Sequence, residues 1–379
     1  MPIAPRLYLD HAATTPMLPA ARAAVAEGMA LWANPSSPHA EGRAARAALE
    51  RARARIKAAL GWTGELIFTS GASEAIALAI GGAKVGPVAV SAVEHDAVRR
   101  VAGDAEVLPV GSDGRLAGWP ESGLVAIQSA NSETGVLQDY PRNGEGDHAE
   151  GVVEGAGGEV QRLWDAPSTT ALRAAVPLPV PGRIWLADCA QTAGKLPLPD
   201  ADIIVVSAHK LGGPPGIGAL LVRDLALLEP SGGQEQGYRA GTENLPGALG
   251  FAAALEAQGD WFAGMADLRA KLDAGIEAAG GEIVARDAPR IPTIASYRMP
   301  GVSAQAQLIQ LDLAGIAVSA GSACSSGTMK PSHVLQAMGW TPEEAGQVIR
   351  VSFGWTTTAA DVERFLEAWT AIAGRARAA

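Results

Sequence analysis

An α/β fold built on a mostly parallel sheet is what this sequence predicts, and three observations predict it. Short apolar runs rich in branched residues alternate with Ala-rich stretches of helical character, and 45 glycines and 25 prolines punctuate the alternation without forming repeats. Polar residues able to do chemistry stand directly after the apolar runs, where open α/β sheets bind their ligands. The length, 379 residues with 48% hydrophobic content, suffices for two or three domains, each with its own core.

Residues 40–60 (AEGRAARAALERARARIKAAL) join strong helix formers to apolar residues at helical spacing and stop at Gly61, which predicts an amphipathic helix. Buried strands are predicted at 65–69 (ELIFT), 88–93 (VAVSAV), 124–128 (LVAIQ), 184–187 (IWLA) and 202–207 (DIIVVS). The residues that follow them are Ser70-Gly71-Ala72-Ser73, Glu94-His95, Asn131, Asp188 and His209-Lys210. From Phe251 to Ala279 the pattern turns helical again, and the strands and helices beyond it point to a second, smaller α/β domain. Residues 139–158 are glycine-rich and acidic and read as a solvated loop; residues 159–176 are compatible with a short helix.

Thirty Lys plus Arg against forty Asp plus Glu give a net charge of −10, which argues against nucleic acid and anionic lipid as partners. Two cysteines, Cys189 and Cys324, provide neither a disulfide framework nor a CxxC metal or redox motif, as expected of a protein in a reducing cytoplasm. No metal site is expected. Neither a signal-peptide core nor a membrane-spanning apolar run is present, so membrane association is not expected.

Lys210, in SAHKLGGPPGIG, ends an apolar strand and begins a Gly/Pro loop. A lysine nucleophile must be desolvated or joined to a carbonyl as a Schiff base, because an ordinary amine is almost wholly protonated at neutral pH. Asp188 ends the preceding apolar run. In pyridoxal phosphate enzymes a carboxylate keeps the pyridine nitrogen protonated while a lysine anchors the aldehyde; Asp188 and Lys210 suit those roles, although Asp188 equally suits a turn cap. The TSGAS segment before a helix offers a phosphate backbone N–H groups and a helix dipole, or is a plain N-cap. His95 suits ring stacking and proton transfer. Cys324, among small residues in AGSACSSG, suits a thiolate nucleophile, whereas Cys189 reads as packing. Arg350, a charge inside the apolar run QVIRVSFG, needs either a substrate carboxylate or a structural ion pair.

Together these motifs resemble the cysteine desulfurases of the class V branch of fold-type I pyridoxal phosphate enzymes. The likeness runs through YLDHAATTP (8–16), NPSSPH (34–39), FTSGASE (68–74), VEHDAV (93–98), ANSETGVLQD (130–139), ADCAQTAGKLP (187–197), SAHKLGGPPGIGAL (207–220), YRAGTEN (238–244), SAGSACSSG (319–327), KPSHVLQAMG (330–339) and IRVSFG (349–354), in the family's order. It implies a large domain over 16–254 with a mostly parallel seven-stranded sheet, and a smaller α/β domain from 1–15 and 255–379. It implies pyridoxal 5′-phosphate as cofactor, with Lys210 as the Schiff-base lysine, Asp188 on the pyridinium, His95 stacking on the ring and Gln191 donating to the phenolic oxygen. Ala72, Ser73, Ser207 and His209 match phosphate-binding positions, and Thr242 a threonine that reaches the other subunit's cofactor, which implies a homodimer. Asn34, Asn131 and Arg350 match substrate-binding positions, and Cys324 the persulfide-forming cysteine. The activity implied is removal of sulfur from L-cysteine and its transfer to a protein such as an iron–sulfur scaffold. Rival readings are selenocysteine lyase, transamination, or a sulfur-carrying scaffold with weak catalysis. The sequence departs from the family's pattern in the long span from Gly135 to Asp188 and at Trp355, where many relatives have arginine.

Overall fold

The computed structural model describes residues 6–140, 182–321 and 331–378. Cys324, nearly all of the acidic 139–158 stretch and the whole of 159–176 lie outside them. The chain enters through β1 (Leu7–Tyr8), α1 (Pro19–Ala30) and α2 (Ala40–Ala59). It then alternates as β2 (Glu65–Thr69), α3 (Ala72–Gly82), β3 (Val88–Ser91), α4 (Asp96–Val101), β4 (Glu106–Leu108), β5 (Gly123–Gln128), β6 (Arg183–Asp188), β7 (Ile203–Ser207) and β8 (Gly218–Val222). Next come α5 (Leu245–Glu256), α6 (Met265–Ala278), β9 (Glu282–Ile283), β10 (Ile294–Arg298), α7 (Ala304–Leu313) and β11 (Ile316–Ala317). The last elements are α8 (His333–Ala337), α9 (Pro342–Ala345), β12 (Val348–Ser352) and α10 (Ala359–Ala378).

Seven strands form the main sheet in the order β2-β8-β7-β6-β5-β3-β4. All run parallel except β8, which is antiparallel to both its neighbours. Its strands read as continuous apolar runs because both faces are covered. Leu66, Phe68, Val125, Ile127, Trp185, Ile204 and Val206 pack with α1, α2 and α5 on one face. The alternate residues Ile67, Leu124, Ala126, Leu186, Ile203 and Val205 pack with α3 on the other. Buried Ala45, Ala48, Leu49, Ala52 and Ile56 form the stripe that α2 presents to this core; the helix ends just before Gly61, which takes φ +63°.

The single helical stretch expected over 251–279 is two helices. The turn between them contains Gly259 at φ +58°, a conformation that stops α5 at low cost. A three-stranded antiparallel sheet, β12-β10-β9, carries a second core with α6, α7 and α10. Leu7 and Leu9 belong to that core, since β1 pairs in parallel with β11. The amino-terminal segment therefore crosses from the smaller core to the carboxyl end of β7 in the main sheet, where Thr15 N donates to His209 O. No helix among the described residues is long and apolar enough to cross a membrane.

Candidate active site

The carboxyl ends of β2, β5, β6 and β7, together with the loop after β3, open into a cavity of about 370 Å³. Each contributes the residues that follow its apolar run. Ser70, Gly71, Ala72 and Ser73 come after β2, His95 after β3, Gln128 ends β5, Asp188 ends β6 with Gln191 beyond it, and Ser207, His209 and Lys210 close β7. One wall is the amino terminus of α3. No side chain caps it, and Gly71 holds the N-cap position at φ +152°, a region L side chains rarely adopt. A Cβ on Gly218 would lie 2.6 Å from Val206 O and 2.8 Å from Gly71 Cα, so β8 has to be bare for α3 to begin beside Ser207. Uncapped N–H groups and the positive end of the helix dipole make this wall an anion site.

Lys210 Nζ donates to Ala12 O at 2.6 Å. Burial, reinforced by the Arg350 charge and opposed by Asp188 and Asp10, brings its pKa down to about 8. Asp188 is buried and accepts from Ala190 N at 2.9 Å. Burial raises the pKa of its carboxyl, while the bond from Ala190 and the charges of His95 and Lys210 pull it back. A carboxylate in that position favours a protonated, positively charged partner. Gln191 Nε2 donates one N–H to Ala12 O at 3.0 Å and has a second to give, and its buried Oε1 has no partner among the described residues. His95 Nδ1 accepts from Ala97 N at 3.1 Å, capping α4. Burial lowers its pKa and Asp188 opposes the fall. His209 Nδ1 meets Thr14 Oγ1 at 3.2 Å; burial and the adjacent Lys210 hold it down to about 4, so it is neutral at physiological pH.

This donor set fits pyridoxal 5′-phosphate. There is an anion site with two serines at one end, a buried carboxylate for a ring nitrogen, an amide with a spare N–H and an unpaired oxygen, an imidazole on the cavity wall and a lysine poised near neutrality.

Ala72, Ser73, His95, Asp188, Gln191, Ser207, His209 and Lys210 thus share one cavity. Other expected site residues stand outside its wall. Asn131 is buried between the lining residues Ala130 and Ser132. Its Oδ1 accepts from Glu133 N and Thr134 N, both at 2.9 Å, and its Nδ2 donates to Val93 O at 3.1 Å. The side chain therefore shapes the turn after β5. Arg350 Nη1 donates to Ser132 O at 3.0 Å and Nη2 to Asp10 Oδ1 at 2.7 Å, so the ion pair is present. Asn34 is exposed, its Oδ1 accepting from Ser36 N at 2.8 Å, and Thr242 is exposed on the loop before α5. Cys189 is buried and free, packed in the core. Trp355 donates its indole N–H to Pro16 O at 2.9 Å.

Sequence reasoning passed over three contributors. Ala12 offers the carbonyl shared by Lys210 and Gln191, and Thr15 clamps the same segment through His209 O (2.8 Å) and Lys210 O (3.2 Å). Asp10 is the third. All lie in YLDHAATTP, a motif in which no individual residue had been singled out. Glu94 is also wholly buried, bonded to Ser91 Oγ at 2.7 Å and Gln128 N at 3.0 Å. Burial pushes its carboxyl up to about 8.

The aminotransferase class-V family profile matches residues 7–154 and 180–365. A cysteine desulfurase of Cereibacter sphaeroides is 34% identical over 406 aligned positions, covering 98% of this chain and 97% of that protein. An IscS-like cysteine desulfurase of Mycobacterium tuberculosis is 35% identical, covering 98% and 97%. Among solved structures, a NifS-like protein from Rickettsia africae superposes with a TM-score of 0.79 at 29% identity, over 97% of this chain and 99% of that one. With the profile spanning most of the chain and the relatives matching nearly end to end, this protein belongs to the class-V aminotransferase family, among its cysteine desulfurases.

Proposed function

We propose that the protein uses pyridoxal 5′-phosphate to take sulfur from L-cysteine, releases L-alanine, and leaves a persulfide on Cys324 for an acceptor such as an iron–sulfur scaffold. The observation that carries this reading is the convergence of the Lys210 amine and the Asp188 carboxylate on a cavity walled by the uncapped start of α3. Once bound, the cofactor supplies an aldehyde that captures amines and a ring that accepts the electrons left by α-proton removal. Ala72, Ser73, Ser207 and His209 hold the phosphate, Asp188 keeps a proton on the ring nitrogen, and Gln191 donates its spare N–H to the phenolic oxygen. His95 stacks on the ring and carries protons at Nε2, its Nδ1 being occupied by Ala97 N. Lys210 Nζ, partly neutral near pH 7, takes the α-proton. Arg350 receives the substrate carboxylate, with Asn131 fixing the turn beside it, and Asn34 lines the approach.

In the sulfur step the Cys324 thiolate attacks the substrate sulfur. The new S–S bond forms as the substrate's C–S bond breaks, and a proton replaces sulfur on the carbon that leaves as alanine. The exposed Thr242, which does not line its own chain's cavity, supports a homodimer in which it reaches the second site. The core that the smaller sheet has of its own, beside the cores on the two faces of the main sheet, supports a large domain over 16–254 and a small one from 1–15 and 255–379. A cytoplasmic location accords with the reading of Cys324 as a reduced thiol.

Replacing Cys324 with Ser tests the assignment. The variant is expected to bind cofactor and L-cysteine normally yet form no protein persulfide. Persulfide formation at the wild-type level would refute the role of Cys324.

A further inference from the structure

Arg350 lies in the middle of β12, paired through its backbone to Ser296 on one side and Ser319 on the other. Its guanidinium is nearly enclosed, with 9% side-chain exposure. Nη1 donates to the carbonyl of Ser132, which lines the cavity, and Nε is buried without a partner among the described residues. Nη2 carries the ion pair, held by Asp10 Oδ1 at 2.7 Å. Asp10 is the more accessible partner, at 21% side-chain exposure. Its backbone is fixed by the bridge to Ser352, and its carbonyl accepts from Tyr8 Oη at 3.1 Å, so the side chain can turn while the main chain stays. Ser132, whose carbonyl Arg350 holds, lines the cavity with Lys210, and the Lys210 amine is bonded to Ala12 O on the segment that carries Asp10, so the pair lies beside the place where an amino acid must react.

A buried guanidinium left alone is costly, whereas one that trades one carboxylate for another is not. We propose that Asp10 is a stand-in for the substrate's carboxylate: it occupies Arg350 in the resting site and is displaced when an α-carboxylate binds. Asp10 thereby keeps the guanidinium oriented, and every carboxylate ligand has to compete with it. This rests on the reading of Arg350 as the substrate-carboxylate site, which the experiment tests separately.

The holoenzyme is titrated with propanoate and with propanamide, ligands without an amine, and binding is followed by ligand-observed NMR. Asp10→Asn keeps the shape of the side chain but removes its charge. Propanoate should then bind about tenfold more tightly, as expected for removal of one competing charge at a partly exposed pair, while propanamide binding stays as it is. Asp10→Ser, which cannot reach Arg350, should behave in the same way and serves if the first variant folds poorly. Unchanged or weaker propanoate binding in a folded variant overturns the proposal. Arg350→Gln should abolish the preference for acid over amide. If the preference survives that change, the carboxylate site lies elsewhere and both readings fall; if it is lost but neither Asp10 variant tightens binding, only the stand-in role fails.

Discussion

The Lys210 amine should capture an aldehyde far faster at neutral pH than an ordinary lysine does. Its pKa of about 8 is set first by burial and then by Arg350. At pH 7 a group with that pKa is neutral about one time in ten, against about 0.04% for a free lysine, so the reactive population is roughly 200-fold larger. The sign is that of a depressed lysine: the neutral form gains as pH rises through about 8 and is nearly complete by pH 9, where an exposed amine is still mostly protonated. Cofactor-free protein mixed with pyridoxal 5′-phosphate in a stopped-flow instrument reports the rate from the visible absorbance of the lysine-bound aldehyde. The rate should climb with pH and level off with a midpoint near 8. Arg350→Gln should move the midpoint upward, because it removes a charge that disfavours the ammonium. A rate that rises without levelling to pH 10, or a midpoint unmoved by Arg350→Gln, would refute the electrostatic argument.

Three further outcomes follow from the packing. Glu235 is 2% exposed and receives Arg53 Nη1 and Nη2, both at 2.8 Å, and Phe68 N at 2.7 Å, tying α2 to the strand that leads into the phosphate wall. Glu235→Gln should cost about 3 kcal/mol in denaturant unfolding, and a loss below about 1 kcal/mol would contradict the role given to this pair. Gly218→Ala forces Val206 O and Gly71 Cα apart, so cofactor affinity should fall by the equivalent of about 1–3 kcal/mol; equilibrium dialysis with unchanged affinity would count against the close-approach argument. Asp188→Asn should retain phosphate-anchored cofactor but lower turnover about 10²–10⁴-fold, measured as alanine formed from L-cysteine, and near-normal turnover would remove Asp188 from the chemistry.

Much of the site was legible because topology does the gathering. Ser73, His95, Asp188, Ser207 and Lys210 all end or follow strands that are buried on both faces, and a continuous apolar run betrays such a strand without any partner being known. β4 gave little signal, being three residues long with Val107 62% exposed, and β8 was hidden behind the Gly/Pro loop that precedes it. The partner of Arg350 was illegible for another reason. Asp10 lies 340 positions away in the chain, and long-range contacts such as the pairing of β1 with β11 and the bridge from Asp10 to Ser352 bring them together. Asn131 was legible as a polar residue near the strand end, but not its orientation, because the N–H groups of its own turn compete for its Oδ1. The break between α5 and α6 turned on Gly259 and Gly264 inside an otherwise helical composition.

The whole mechanism requires that the amine of Lys210, and no other, bond to the cofactor. Borohydride reduction of the cofactor-loaded protein, followed by proteolysis and mass spectrometry, tests it directly. A second amine nearby makes the test discriminating: Lys195 is bonded to Gln191 O at 2.9 Å, and burial and the Lys210 charge bring its pKa to about 7. The pyridoxyl mass is expected on the peptide containing Lys210, with Lys195 unmodified. Label on Lys195, or on neither lysine, would contradict it.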